Sequence, residues 1–257
     1  MVASISVDAR EGGEYWITID RIEKHNALAR SVLGELSQAV STIGERDHSR
    51  FIVLRGAGNR FFAAGGDLRD LESVRDASAV AAMGDAARGA LDSVRDCRVP
   101  VIAFVNGDAL GGGSELAVAC DLRLQAGHAR LGFIQSRMAI TSAWGGGPDL
   151  CALVGPARAL RMMARAEMVD AATALAWGLA DAVVDDGADG ATIASFLEPL
   201  RRCPAQVLRG IKAQTQAIRR GEPYETRRAI ERRHLESTWL HEDHWACVNQ
   251  FLSKGKA

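Results

Sequence analysis

The sequence predicts an α/β protein with mostly parallel strands and a helical C-terminal region. Two short apolar runs, residues 51–54 and 99–105, each stop at a glycine-rich segment that precedes a helical pattern. This alternation of strand, loop and helix indicates parallel pairing, because a buried parallel strand is apolar along its whole length. From about Pro156 onward helical patterns dominate. The helical region therefore follows the α/β core along the chain.

The remaining elements follow from hydrophobic periodicity and turn residues. Residues 4–7 and 15–20 are rich in β-forming residues, and the turn-forming residues 11–13 between them predict a hairpin. Shorter strands are predicted at residues 122–124 and 129–133. Helices are predicted at residues 26–43, 80–94, 114–120, 157–166, 171–177, 191–202 and 206–219. A further helical stretch is predicted to begin with residues 67–71, and residues 224–252 are predicted to form one helix or a pair. A boundary near Gly190 would divide a core of residues 1–190 from a helical region of residues 191–257.

The overall composition indicates a cytoplasmic protein with a sizeable core. Of the 257 residues 47% are hydrophobic, and the formal net charge of −1 favours neither nucleic acid nor a membrane surface as a partner. The five cysteines are scattered without a C-x-x-C pair, which is typical of reduced thiols. The first residues lack a secretory pattern, and no apolar stretch approaches the ~20 residues that span a bilayer. Any phosphate-bearing ligand must therefore be held by a local basic cluster.

Two glycine-rich loops are the strongest candidates for a binding site. They are residues 60–68, Arg-Phe-Phe-Ala-Ala-Gly-Gly-Asp-Leu, and residues 106–116, Asn-Gly-Asp-Ala-Leu-Gly-Gly-Gly-Ser-Glu-Leu. Each follows a predicted strand and precedes a helical stretch, where backbone N–H groups without intrahelical partners point at one spot. Such a loop could hold a phosphate or an oxyanion that develops during a reaction. The alternative is that these glycines only form tight turns.

The common nucleotide and hydrolase motifs do not match these loops. Gly56-Ala-Gly58 begins like G-x-G-x-x-G, but Phe61 occupies the place of the third glycine. No G-x-x-x-x-G-K-S/T segment is present, and Ser114 does not lie in a G-x-S-x-G elbow. The loops therefore point away from nucleotide binding and from a serine nucleophile.

The motifs resemble those of the crotonase (enoyl-CoA hydratase/isomerase) superfamily. Residues 110–121, Leu-Gly-Gly-Gly-Ser-Glu-Leu-Ala-Val-Ala-Cys-Asp, resemble its signature, and residues 62–68 resemble its first oxyanion segment. Residues 21–28, Arg-Ile-Glu-Lys-His-Asn-Ala-Leu, resemble its N-terminal box, with Ile22 where proline is usual. Trp144-Gly-Gly, Leu153-Val-Gly and residues 171–184 continue in the expected order. The likeness spans nearly the whole chain.

The resemblance implies a spiral of ββα units followed by a C-terminal helical region that forms a homotrimer or a dimer of trimers. It implies that the peptide N–H groups of Gly66 and Gly112 cradle a thioester carbonyl as it becomes an enolate, and that Glu115 and Gln135 lie beside it. No metal and no tightly bound cofactor are expected, since coenzyme A enters as part of an acyl-CoA substrate. The residues expected to contact the substrate or its CoA moiety are Lys24, His25, Ala64, Asp67, Arg69, Trp144 and Lys254.

The reaction depends on a second carboxylate that this chain lacks. Hydratases of the family use two glutamates; the first aligns with Glu115, whereas the place of the second holds Gln135, preceded by Ile134. An amide orients a water molecule but does not take its proton. We therefore favour decarboxylation of a malonyl-type thioester, as in the ethylmalonyl-CoA decarboxylase branch that residues 130–146 resemble, over enoyl-CoA hydration or isomerisation. A catalytically weak binding module stays open, and Trp144 is either core packing or a wall of the acyl pocket.

Overall fold

The computed structural model describes residues 4–185, 187–188 and 190–254, and its strands form two sheets. The larger sheet consists of β1 (Ile5–Arg10), β2 (Glu14–Ile19), β3 (Phe51–Gly56), β5 (Val101–Val105), β7 (Leu122–Ala126) and β10 (Ala182–Val184), in that spatial order. The smaller sheet consists of β4 (Phe61–Ala63), β6 (Asp108–Leu110), β8 (Arg130–Gly132) and β9 (Met168–Asp170), also in that order.

Ten helices accompany these strands in the described part of the chain. The first six lie among the strands: α1 (Arg30–Gly44), α2 (Ala77–Arg95), α3 (Gly112–Ala119), α4 (Gly146–Val154), α5 (Pro156–Arg165) and α6 (Ala171–Trp177). The last four form the C-terminal region: α7 (Ala191–Arg202), α8 (Ala205–Arg219), α9 (Tyr224–Trp239) and α10 (Glu242–Lys254).

The chain winds as the predicted spiral. After the antiparallel hairpin of β1 and β2, three successive turns each place one strand in the larger sheet and the next strand in the smaller sheet, and one or two helices follow. The last two strands have the reverse order, with β9 in the smaller sheet, then α6, then β10 in the larger sheet. Thus β3, β5 and β7 pair in parallel in one sheet, whereas β4, β6 and β8 pair in parallel in the other. The mixed α/β class and the helical C-terminal region are confirmed.

Apolar strands and helix stripes form the core. All five residues of β5 are buried, and so are the first four residues of β3, as the continuous apolar runs predict. Helix α1 presents Val32, Leu36 and Val40 at helical spacing, and none of these three is exposed. The core therefore consists of apolar side chains from both the strands and the helices.

Two predicted elements differ from the structure. The helical stretch predicted from Asp67 is wrong: this region forms turns, and α2 begins only at Ala77, where the Asp76 side chain accepts a hydrogen bond from Ala79 N at 2.9 Å. The helix predicted from residue 26 begins at Arg30, because Leu28 forms a parallel bridge with Gly66. Of the two alternatives predicted for residues 224–252, one helix or a pair, the structure shows the pair.

The C-terminal helices carry an exposed apolar surface. Trp239, Leu240 and Phe251 on and beside α9 and α10 are 52%, 78% and 80% exposed. An oligomerisation region would present such a surface, since large exposed apolar groups often mark an interface. The trimer and the boundary near Gly190 stay predictions. No described helix is both long and apolar enough to cross a membrane.

Candidate active site

The two glycine-rich loops lie side by side. They contain the short strands β4 and β6, which pair in parallel with Ala63 opposite Ala109. A Cβ on Gly65, whose φ is +102°, would lie 3.0 Å from Leu110 O and 3.6 Å from Gly112 N. A Cβ on Gly113 would lie 2.8 Å from the carbonyl carbon of Ala63. Glycines therefore allow the two backbones to touch.

The backbone N–H groups of Gly66 and Gly112 are available as donors. The chain on both sides of Gly66 is fixed by Leu28, whose N–H donates to Gly65 O at 2.8 Å and whose carbonyl accepts from Asp67 N at 3.3 Å. Gly112 is the first residue of α3, where an N–H has no intrahelical acceptor. Within the described residues no atom accepts a hydrogen bond from either N–H. Both donors can therefore serve a ligand.

Buried polar side chains hold these loops in place. Ser114 Oγ lies 2.7 Å from Ala109 O and accepts from Gly132 N at 3.1 Å, which fixes the first turn of α3. Asn106, which directly follows β5, donates from Nδ2 to Gly56 O at 2.8 Å. Asn106 was not predicted as a functional residue, although a buried strand followed by asparagine at the loop entrance was an available signal.

Glu115 is a buried carboxylate on α3. Its side chain is 2% exposed, and its Oε2 accepts hydrogen bonds from Trp144 N and Gly146 N, both at 2.9 Å. Burial raises the pKa of Glu115, although the N–H groups of Gly146 and Trp144 and the amide of Gln135 oppose the shift. Because two donors fill the lone pairs of Oε2, the proton can be exchanged only at Oε1.

Gln135 lies against that second oxygen. It begins the short 3-10 helix Gln135–Met138 after β8, is half-buried, and donates from Nε2 to Glu115 Oε1 at 3.0 Å. The structure thus brings together the two side chains that the sequence analysis paired. An amide that donates to Glu115 favours the ionised form of that carboxyl group. Gln135 orients Glu115 and does not compete for its proton.

The Trp144 ring packs on both glycine loops. A Cβ on Gly112 would lie 2.6 Å from the ring atom Cη2, and a Cβ on Gly66 would lie 3.6 Å from the same atom. The side chain is 8% exposed and also lines a cavity of about 320 Å³ between α1 and α2. Trp144 therefore belongs both to the core and to a pocket wall. Other residues lining the cavity are Leu28, Leu33, Leu71, Met83, Ala87 and Ala90.

The structure also places several of the predicted CoA-binding residues together. Ala64 N donates to His25 O at 3.1 Å, so the N-terminal box lies against the first glycine-rich loop. The side chains of Lys24, His25 and Arg69 are exposed. The side chain of Lys254 lies outside the described residues.

Asp67 is already engaged by the protein. Its Oδ2 accepts from Arg21 Nη2 at 3.0 Å and its Oδ1 from Arg69 N at 3.2 Å. Burial pushes the pKa of Asp67 upward, but the hydrogen bonds from Arg21 and Arg69 outweigh burial and leave it below its usual value. Asp67 therefore fastens the loop that carries Gly66. In the described part of the chain, no three His, Cys, Asp or Glu side chains are grouped so that they could hold a metal ion.

The chain is similar to several proteins of known family. The family model for enoyl-CoA hydratase/isomerase matches residues 10–257. A crotonyl-CoA hydratase of Syntrophomonas wolfei is 34% identical over 65% of this chain and 64% of its own length. The ethylmalonyl-CoA decarboxylase of Rattus norvegicus is 29% identical over 81% of this chain and 71% of its own. The crystal structure of an enoyl-CoA hydratase from Bacillus anthracis superposes with a TM-score of 0.89 at 29% identity, covering 98% of this chain and 97% of that one. The chain belongs to the enoyl-CoA hydratase/isomerase family.

Proposed function

We propose that this acyl-CoA enzyme decarboxylates a malonyl-type thioester such as methylmalonyl- or ethylmalonyl-CoA. The observation that carries the proposal is the pair formed by Glu115 and Gln135, which joins one carboxyl group to one amide at 3.0 Å. Two carboxyl groups are needed to activate and return the protons of a water molecule, whereas decarboxylation needs only one proton donor. The likeness to an ethylmalonyl-CoA decarboxylase supports the same choice.

The adjacent glycine loops account for the carbon–carbon bond cleavage. As the bond to the carboxylate breaks, CO₂ leaves and the electron pair moves through the α-carbon onto the thioester oxygen, which gives an enolate. The N–H groups of Gly66 and Gly112 would donate to that oxyanion. One well-aimed donor of this kind is worth about 3 kcal/mol of barrier in a site without water. Cβ atoms contribute nothing to this interaction, and one on Gly112 would collide with Trp144.

Glu115 would deliver the proton that completes the reaction. The enolate takes a proton at its α-carbon, the carbon–oxygen double bond of the thioester re-forms, and Glu115 is left ionised until solvent reprotonates it. Burial raises the pKa of Glu115, which favours the protonated form that this step requires. Oε1, which accepts one hydrogen bond where Oε2 accepts two, would be the proton donor.

Hydration of an enoyl-CoA is the second candidate. Its support is the crotonyl-CoA hydratase among the relatives and the position of Glu115, which would activate one water molecule. Gln135 could hold that water by a hydrogen bond but could not exchange a proton with it. Hydration at ordinary rates would therefore need a second proton carrier.

Two assays distinguish the candidates. Coupled detection of CO₂ with methylmalonyl- and ethylmalonyl-CoA reports decarboxylation, and loss of enoyl-thioester absorbance with crotonyl-CoA reports hydration. We expect turnover in the first assay and little in the second. The reverse result would establish the hydratase. Inactivity in both assays with intact CoA binding would indicate a binding module.

Replacing Gln135 with glutamate should shift the enzyme toward hydration. The new carboxyl group would face Glu115, and two carboxyl groups at this distance share one proton, as water activation requires. We expect crotonyl-CoA hydration to rise by about 100-fold, the usual contribution of one acid–base group. The matched control Gln135→Met removes the hydrogen bond without adding a carboxyl group and should give no gain. An equal gain in both variants would exclude a proton-transfer role for this position.

Lys24→Glu should weaken CoA binding. Lys24 is exposed beside the His25–Ala64 contact, and a phosphate within about 4 Å gains about 1 kcal/mol from such a charge in water. Reversing the charge replaces this attraction by an equal repulsion, a change of about 2 kcal/mol, and should therefore cost about 30-fold in affinity. Titration calorimetry with CoA at low and high salt measures the effect, which should shrink as salt rises. Arg98→Glu is the control. Arg98 precedes the N-terminal end of β5, whereas the second glycine-rich loop follows the C-terminal end, so this change should leave the affinity for CoA unchanged. Equal losses in both variants would point to net charge alone.

A further inference from the structure

Arg95 lies behind the turn of residues 144–146. It is the last residue of α2, and its side chain is only 12% exposed. Its Nη2 donates to Trp144 O at 2.9 Å, its Nε to Asp149 Oδ2 at 2.9 Å and its Nη1 to Asp92 Oδ1 at 2.7 Å. The guanidinium group therefore has a fixed orientation, and one of its donors is spent on a backbone carbonyl of the turn.

The opposite face of the same turn contacts Glu115. The N–H groups of Trp144 and Gly146 both donate to Glu115 Oε2, and a Cβ on Gly146 would lie 2.5 Å from Glu115 Cγ. Gly145 has a φ of +89°, and a Cβ there would lie 2.8 Å from Arg95 Nη2. Arg95 and Glu115 thus lie on either side of the turn, and only glycine at position 145 leaves room for the arginine.

We propose that Arg95 is a positioning residue, which holds this turn from outside so that two backbone N–H groups stay directed at the Glu115 carboxylate. The role in turnover rests on the proposed function, in which Glu115 is the proton donor. Arg95 itself would not touch the substrate. It acts through the carbonyl of Trp144, and the sequence offers no motif that would have indicated it.

A second arginine strengthens the support behind the turn. Arg219 of α8 forms an ion pair with Asp149 Oδ1 at 2.9 Å and donates to Ala119 O at 2.8 Å and to Val118 O at 2.9 Å. Ala119 ends α3, the helix that carries Glu115. Asp149 therefore joins Arg95 and Arg219, and the support extends from α2 through α4 to both α3 and α8.

The charged side chains nearest Glu115 do not contact its carboxyl group, because amide groups lie between them and the carboxyl oxygens. Its carboxyl group accepts hydrogen bonds from amides: the N–H groups of Trp144 and Gly146 and the side chain of Gln135. Within the described residues no Lys, Arg or His forms an ion pair with it. On the neighbouring elements, Arg137 donates to Ala166 O. The charged groups behind the turn include Arg95, Asp92, Asp149 and Arg219, and Arg88 of α2 donates to Ala143 O at 3.0 Å.

Loosening the turn should therefore be visible at Glu115. The N–H groups of Gly146 and Trp144 lower the pKa of Glu115 against the effect of burial, so their loss should raise the pKa further. Infrared titration of the full-length protein, taken as the difference from Glu115→Gln at each pH, follows this carboxyl group without any substrate. We expect Arg95→Met to shift the titration to higher pH. We expect kcat to fall by up to about 100-fold from misplacement of the proton donor, with KM nearly unchanged.

Two further variants complete the test. Gly145→Ala, which pushes a Cβ against the guanidinium group, should shift the Glu115 titration in the same direction and provides the result if Arg95→Met does not fold. Arg98→Met removes a nearby arginine that pairs with Glu45 instead, and it should leave the titration in place. Arg95→Lys retains a positively charged donor and should therefore shift the Glu115 titration less than Arg95→Met does.

An unshifted titration in folded Arg95→Met, even with reduced kcat, would overturn the positioning role. Should Arg95→Met not fold, an unshifted titration in folded Gly145→Ala would do the same. If the wild type released no CO₂, the decarboxylase proposal would fail, while the infrared titration would still decide whether Arg95 positions Glu115.

Discussion

Glu115→Gln should lower kcat for CO₂ release by about 10²–10⁴-fold and leave CoA affinity unchanged. The substitution preserves shape, because a glutamine oxygen can still accept from Trp144 N and Gly146 N. Its amide would then face Gln135, whose own amide can turn to offer its oxygen. The hydrogen-bond network survives and only the exchangeable proton is lost. Stopped-flow CO₂ detection and CoA calorimetry measure the two effects separately.

Glu14→Gln provides the matched control. Glu14 is also a buried glutamate, 3% exposed, and it pairs with Arg201 at 2.7 Å. It is the first residue of β2 and lies across from the start of β3, whereas Gly56 is at the other end of β3. This substitution should reduce stability, because it weakens a buried ion pair, and should leave kcat within about twofold. Unaltered turnover in Glu115→Gln would remove Glu115 from the mechanism and leave the glycine loops as the whole of the catalytic apparatus.

Glu115→Gln should also change how the stability of the protein depends on pH. Burial raises the pKa of Glu115, so the folded protein holds this proton more tightly than the unfolded chain does. As pH rises from the ordinary glutamate value through the folded-state value, ionisation therefore costs the wild type stability. Glu115→Gln lacks this group and should lose less stability over that interval. Thermal unfolding of both proteins from pH 4 to pH 8, with buffers of low ionisation enthalpy, tests the sign.

The proximity of the two glycine-rich loops could be predicted from the sequence. Each loop follows a strand of the same parallel arrangement, and such loops meet at the same end of the sheet. The resemblance to a known family then assigned Gly66 and Gly112 their roles. The structure adds that their N–H groups have no acceptor in the described part of the chain.

The contacts of Trp144 and Arg95 could not be predicted from the sequence. The Trp144 ring contacts Gly112, which is 32 residues away in the sequence, and Arg95 donates to the carbonyl oxygen of Trp144, which is 49 residues away. Neither contact follows a local period or a cap rule, since both depend on how α2, α3 and α4 pack. The three-residue strands β4 and β6 were missed for another reason, because they are too short for an alternating pattern to be recognised.

Gly112→Ala should be nearly as damaging as the loss of Glu115. Its Cβ would lie 2.6 Å from Trp144 Cη2 and 2.9 Å from Cε3, so either the indole or the backbone N–H must move. Overpacking of this kind costs about 1–3 kcal/mol of stability. Displacement of one oxyanion donor costs about 100- to 1,000-fold in kcat. We expect a kcat loss of that size in a protein that still folds, measured by CO₂ release alongside thermal unfolding.

Gly66→Ala and a second-site change show whether that loss comes from the collision with Trp144. At Gly66 the same methyl group would meet Leu71 Cδ1 at 3.2 Å, the end of a flexible side chain that can turn aside, so the loss should be several-fold smaller. In Gly112→Ala, adding Trp144→Leu removes the ring that the methyl group strikes, and turnover should partly recover. If the double variant were no better than Gly112→Ala alone, the damage would arise from the backbone of the α3 N-terminus itself, and the indole would have no part in placing the Gly112 donor.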